Sequence, residues 1–192
     1  MVERVPRSWP KLNYLDPERI LVGLRDVALT YPLHKLRYEA ATLRTHQLRP
    51  YGEGRQAALF CYGMSHVVGA RVQYAQSEQE DFDVIARYQA NNEVRYVPIQ
   101  LKEWVPEDLN PSATLEMELA KLAKYGSSER LVVAFHLNRN TTIRFSELRL
   151  PSTKLGALWF YGAKEPSQQH WWLIGNLLKD GPVGHEFTYP DA

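Results

Sequence analysis

Adjacent asparagines at positions 91 and 92 separate two segments rich in β-branched and aromatic residues, 82–88 and 94–101. Asparagine tolerates positive φ, which both central positions of the tightest hairpin turns require, so the pair predicts a two-residue antiparallel connection. Such a turn sets the register of everything that follows it. With residues 90 and 93 flanking the turn, Asp83 falls opposite Gln100, and Asp81 opposite Lys102. Directly opposed residues share a sheet face, as do residues two apart on one strand. One face should therefore gather Asp81, Asp83, Gln100 and Lys102, while Val97, Ile99 and Leu101 turn to the other face for burial. Carboxylates, an amide and a lysine on one face, backed by apolar residues, form a pattern suited to a reaction site.

The surrounding segments place this hairpin in an α/β (α+β) fold with a mixed central sheet flanked by helices. Asp16-Pro17-Glu18 supplies an N-cap, a proline for the first helical turn and an acid near the positive helix end. Ile20, Leu21, Leu24, Val27 and Ala28 then recur on one helical face. A second helix is expected over 33–48, made basic by Lys35, Arg37 and Arg44 with Arg49 beyond it, and Pro50-Tyr51-Gly52 should break the chain. Residues 53–66 read as a helix and 67–75 as a strand leading into the hairpin. After a loop at 106–111, residues 114–125 form an amphipathic helix on Leu115, Leu119 and Leu122, with Gly126 ending it. The near-continuous apolar run 131–137 has the character of a strand buried on both faces. Three aromatic runs, 158–161, 171–174 and 187–189, read as short strands that either extend the sheet or pack across it.

The motif and this order of elements together resemble the PD-(D/E)XK nuclease superfamily, over about residues 53–137. That family opens one strand with an Asp and carries an acid or Gln, any residue, then Lys on the next. Asp83 in DFDVIARY matches the Asp, and Gln100-Leu101-Lys102 matches the triplet, while Phe82 stands where the family has Pro. The resemblance implies a restriction-endonuclease-like core and phosphodiester hydrolysis, on DNA in preference to RNA, with Mg²⁺ or Mn²⁺ as cofactor. It further implies that Asp83 gives a carboxylate ligand, Gln100 a side-chain oxygen and Leu101 its backbone carbonyl. Asp81 would be a further ligand or a salt-bridge partner for Lys102. Lys102 would position the attacking water or stabilise charge on the phosphoryl oxygens. The family often draws another acid from the preceding helix, for which Glu53 is the candidate and Glu39 the second choice. Homodimers are common among such nucleases. The alternative is a nuclease-like module without catalysis that binds nucleic acid or a protein, its polar face being a cross-strand Asp81–Lys102 ion pair and an Asp83–Gln100 hydrogen-bonded pair.

Composition narrows the remaining classes. The 192 residues suit one domain, divided into an N-terminal helical extension (1–50), a nuclease-like core (51–140) and C-terminal strands (141–192). A net charge of +1 means that any field for nucleic acid must be a local patch. The single cysteine, Cys61, excludes an internal disulfide and a cysteine-cluster zinc site, and its apolar surroundings suggest a buried structural thiol. No apolar run approaches the ~20 residues of a membrane span, and the N-terminus lacks a signal-peptide core, so a cytoplasmic protein without a membrane partner is expected. The six histidines show no His-x-x-x-His spacing, and neither a phosphate-cradling glycine loop nor a nucleophile elbow occurs.

Overall fold

In a computed structural model, which describes residues 5–32, 35–79, 82–125 and 128–191, Asn91 and Asn92 both adopt left-handed conformations, with φ of 51° and 62°. The turn joins β2 (Phe82–Ala90) to β3 (Glu93–Trp104), with Ala90 opposite Glu93 as its chemistry demands. β1 (Gln73–Gln79) lies antiparallel on the far side of β2. β4 (Val132–Leu137) and β5 (Ala157–Ala163) continue the sheet in parallel, and β6 (His170–Gly175) and β7 (Val183–Thr188) complete it antiparallel. Among the described residues the result is a mixed α/β structure around one seven-stranded sheet whose strands lie in chain order. The aromatic C-terminal runs thus extend the sheet rather than pack across it.

Each face of the sheet is covered by apolar packing. The helices α1 (Pro17–Thr30) and α3 (Arg49–Val68) bury Leu21, Ala57, Phe60 and Cys61 against Val84, Ile99, Leu101 and Ala134. On the opposite face, α4 (Leu115–Ala120) and the 3₁₀ turn after it set Leu115, Leu119 and Leu122 against Val133, Phe135 and Phe160. Close approach is built in at Gly63 of α3, where an added Cβ would sit 2.6 Å from the Phe187 ring of β7. Cys61 is buried and free, and burial pushes its thiol well above the ordinary range. Among the described residues no helix is long and apolar enough to cross a membrane.

Several expected elements differ from those observed. The helix expected over 33–48 shrinks to α2 (Tyr38–Ala41), residues 33–34 lying outside the described residues. Leu36 and Tyr38 are 52% and 44% exposed, so this segment has no buried face to repay helix formation. Pro50 does not break the chain but sits in the first turn of α3, where its missing N–H removes no helical hydrogen bond. The strand expected over 67–75 begins only at Gln73, because α3 runs on to Val68 and ends at Gly69, whose φ of 65° caps it. Short β-branched runs such as Val67-Val68 fit a helix end as well as a strand. Within α1 the expected stripe is only partly used: Leu21 is buried, whereas Val27 is 47% exposed. Thr114 caps α4 through Met117 N at 3.2 Å, but the α-helix stops at Ala120 and becomes 3₁₀ over Lys121–Lys124. Gly126, its expected stop, lies outside the described residues.

Candidate active site

β3 changes partner along its length. Its first half pairs with β2 up to Val84–Ile99, and its second half pairs with β4 from Ile99–Val132 onward, so the two ladders overlap only at Ile99. Beyond that residue no β2 pairing to this edge of β3 is made among the described residues. A backbone N–H stranded at such a parting needs an acceptor, and the Asp83 carboxylate provides it: Oδ2 accepts from Leu101 N at 2.7 Å. The same oxygen accepts from the Gln100 amide nitrogen. That nitrogen also lies 3.3 Å from the Leu101 carbonyl oxygen.

The hairpin register therefore brings Asp83, Gln100, Leu101 and Lys102 together where β2 and β3 separate. Gln100 is buried, and Asp83 and Lys102 are half-buried. Among the described residues Lys102 has no ion-pair partner. Glu53 sits in the first turns of α3, which are tied to β1 by Tyr74 Oη donating to the Gly54 carbonyl at 2.9 Å and by Gln76 Nε2 donating to that of Pro50 at 2.8 Å. Arg49 Nε holds Glu53 Oε1 at 2.9 Å. Burial raises the Asp83 carboxyl above its usual range, and the negative charge of Glu53 adds to this. The Leu101 N–H, Lys102 and the Gln100 amide pull it back down. Glu53 and Lys102 thus both lie within the electrostatic reach of Asp83. Glu39 is exposed on α2, with no side-chain contact to this group among the described residues. Asp81 lies outside the described residues.

Oxygen donors of this kind suit Mg²⁺ or Mn²⁺ and not zinc. Among the described residues no three or more His, Cys, Asp or Glu side chains converge into a metal cage. The residues present fit an ion held by one carboxylate and completed by substrate phosphate and water, which is the habit of Mg²⁺. Ligation by Gln100 would require its amide to turn, because its nitrogen faces Asp83 and the Leu101 carbonyl.

A second polar group lies one residue along β3, on the opposite face. Glu103 accepts from Arg44 Nη2 at 2.5 Å, Asn138 Nδ2 at 2.7 Å and Gln56 Nε2 at 3.2 Å. Its other neighbour, His136, is buried with Nδ1 4.0 Å away and its ring stacked on Tyr161 at a centroid distance of 4.9 Å. Burial opposes ionisation of Glu103, but Arg44, His136 and Asn138 outweigh it and hold the carboxyl below its usual range. Burial drives His136 down to about 4; Arg55 and Arg44 reinforce that fall and Glu103 resists it. Alternation along β3 already signals this cluster, since an acid on the face of Ile99 and Leu101 must be paired to be buried.

Comparison with protein-family models, with curated proteins and with solved structures finds no match for this chain.

Proposed function

We propose that this protein is a metal-dependent nuclease that hydrolyses phosphodiester bonds, acting on DNA in preference to RNA, in the cytoplasm. The observation that carries the reading is the parting of β2 from β3, where Asp83 binds the stranded Leu101 N–H beside Gln100 and Lys102, the lysine being without an ion-pair contact among the described residues. Mg²⁺ or Mn²⁺, when bound, would supply Lewis-acid polarisation and an activated water. The Leu101 N–H orients the Asp83 carboxylate by one oxygen, leaving the other to meet the cation. Lys102, half-buried on the same face, presents a fixed positive charge to the phosphoryl oxygens, and low local dielectric strengthens that attraction as negative charge grows. Glu53 reinforces the negative field at Asp83 from the start of α3.

Calorimetric titration with Mn²⁺ and a nicking assay on plasmid DNA test this together. Asp83→Ala should abolish metal binding and lower cleavage by about 10²-fold or more, whereas Lys102→Ala should keep metal binding and lose cleavage. Metal binding unchanged by Asp83→Ala would refute the assignment.

The Gln100–Asp83 hydrogen bond favours a second reading, because a neutral amide already satisfies the carboxylate. On that reading the fold is a non-catalytic module for nucleic acid or a protein partner. DNA binding without cleavage at saturating Mn²⁺ would select it.

A further inference from the structure

Away from Asp83, a cleft of about 380 Å³ opens between α1, the early turns of α3, the turn at residues 167–169 and Tyr189. That volume lies within the range of small-molecule sites, about 300–1,000 Å³. Two guanidinium groups line it. Arg25 lies over the Tyr189 ring, 4.3 Å from its centroid, and donates to Gln169 Oε1. Arg55 donates from Nη2 to Gln168 Oε1 at 2.6 Å. Among the described residues neither arginine has a carboxylate within ion-pair distance.

Two acids of this region, Glu103 and Glu165, are already committed. Glu103 reaches Arg55 only as a distant charge, because Arg44 and Asn138 hold it. Glu165 accepts from His170 N at 2.8 Å and Ser167 Oγ at 3.1 Å, and meets His170 Nδ1 at 2.9 Å. Burial lowers the pKa of Arg55, a sign of how little water compensates its charge. A guanidinium nonetheless stays charged, and a half-buried cation with no carboxylate in contact is poorly compensated. Neutral amide oxygens relieve only part of that cost.

The amides are themselves held in place. Gln168 takes a left-handed backbone conformation, φ 55°, and its carbonyl accepts from Trp171 Nε1 at 2.8 Å. The Gln169 carbonyl accepts from Tyr189 N at 2.7 Å. The turn is therefore pinned to the sheet, and both arginines are aimed before any ligand arrives. Leu24, Ala28 and Leu29 give the same cleft an apolar side.

We propose that this cleft binds a small phosphomonoester, with Arg25 and Arg55 gripping the phosphate and the apolar body of the ligand resting on α1. Guanidinium forks match phosphate oxygens in pairs, which explains two arginines and no lysine in the lining. The site shares no residue with the Asp83 centre and does not depend on it.

The test is calorimetric titration of the full chain with phenyl phosphate and with inorganic phosphate, in metal-free buffer of low ionic strength. Saturable binding is expected, tighter for phenyl phosphate, and weakened about tenfold or more by Arg25→Gln or Arg55→Gln. Arg25→Lys should recover only part of the loss, because an ammonium lacks the fork. Ala28→Glu, which adds an acid at an exposed position without removing either arginine, should abolish binding even if Arg55→Gln fails to fold. Asp83→Ala should leave the titration unchanged, whatever it does to DNA cleavage. Absence of saturable binding, binding indifferent to Arg25→Gln and Ala28→Glu, or binding lost in Lys102→Ala but kept in Arg25→Gln would each overturn the proposal. Equal affinity for the two probes would remove the apolar half of it.

Discussion

Lys102 and Glu103 are neighbours on β3 and point to opposite faces of the sheet, yet they stand in opposite situations. Glu103 is answered on every side: Arg44 balances its charge, and Asn138 and Gln56 fill its remaining acceptor sites. Lys102 has no ion-pair contact among the described residues and feels Asp83 only as a neighbouring charge, while Asp83 uses one oxygen for structure. Closed networks rigidify a fold, whereas open ones are left for something that arrives later. The contrast shows why a polar cluster must be judged by what remains unsatisfied, and not by how many charges it holds.

The sharpest way to break the comparison is to open the closed side. Glu103→Ala would leave a half-buried Arg44 unbalanced and strip Asn138 and Gln56 of their acceptor, and should destabilise the fold by about 2–4 kcal/mol in urea denaturation. The matching Asp83→Ala change should cost only about 1–2 kcal/mol, the loss of one acceptor for a sheltered N–H. Equal costs would mean that the two sides do the same structural job.

Acid should act on the two sides with opposite sign. His136 has a folded pKa of about 4 against an ordinary 6.5, so its contribution to stability is complete above pH 6.5 and is lost as pH falls toward 4. Glu103, also depressed, loses its contribution as pH drops below its ordinary 4.5. Asp83 is raised, so the folded chain holds its proton more tightly than the unfolded chain and acid relieves a penalty there. Stability measured from pH 7 to pH 4 should therefore decline in the wild type and flatten in His136→Phe. In Asp83→Asn, where the relief is gone, it should decline more steeply. A wild-type profile that is level over this range would contradict the burial of His136.

The smallest effect sharpens the open side alone. Gln100→Glu would set a second carboxylate beside Asp83 and, on the proposed nuclease reading, should tighten Mn²⁺ binding about tenfold by calorimetry. Without metal it should cost about 1 kcal/mol, since two carboxylates would face one another. Unchanged affinity would show that position 100 does not touch the ion.

Much of this architecture was readable from local chemistry. Asn91-Asn92 dictated a register that carries Asp83 to Gln100, and the apolar run ending at Leu137 had the character of an interior strand. What escaped depended on distant partners. Nothing near Glu103 in the chain announces Arg44 or Asn138, and the non-helical course around Arg44 is understandable only once its side chain is seen reaching β3. The start of α3 escaped for a different reason, because proline both breaks helices and begins them. The role of Asp83 as an acceptor for Leu101 N–H required knowing where the β2–β3 ladder stops, and alternation alone does not say that.

The strand order also has a consequence for how the molecule is made. Because every strand lies beside its neighbour in the chain, no strand has to be threaded between two that are already joined. The sheet can grow from β1 to β7 in the order of synthesis, each new strand finding a finished edge waiting for it. Grown in that order, the sheet would bring Phe187 of β7 to Gly63 of α3 last, so the closing contact would join a late strand to an early helix.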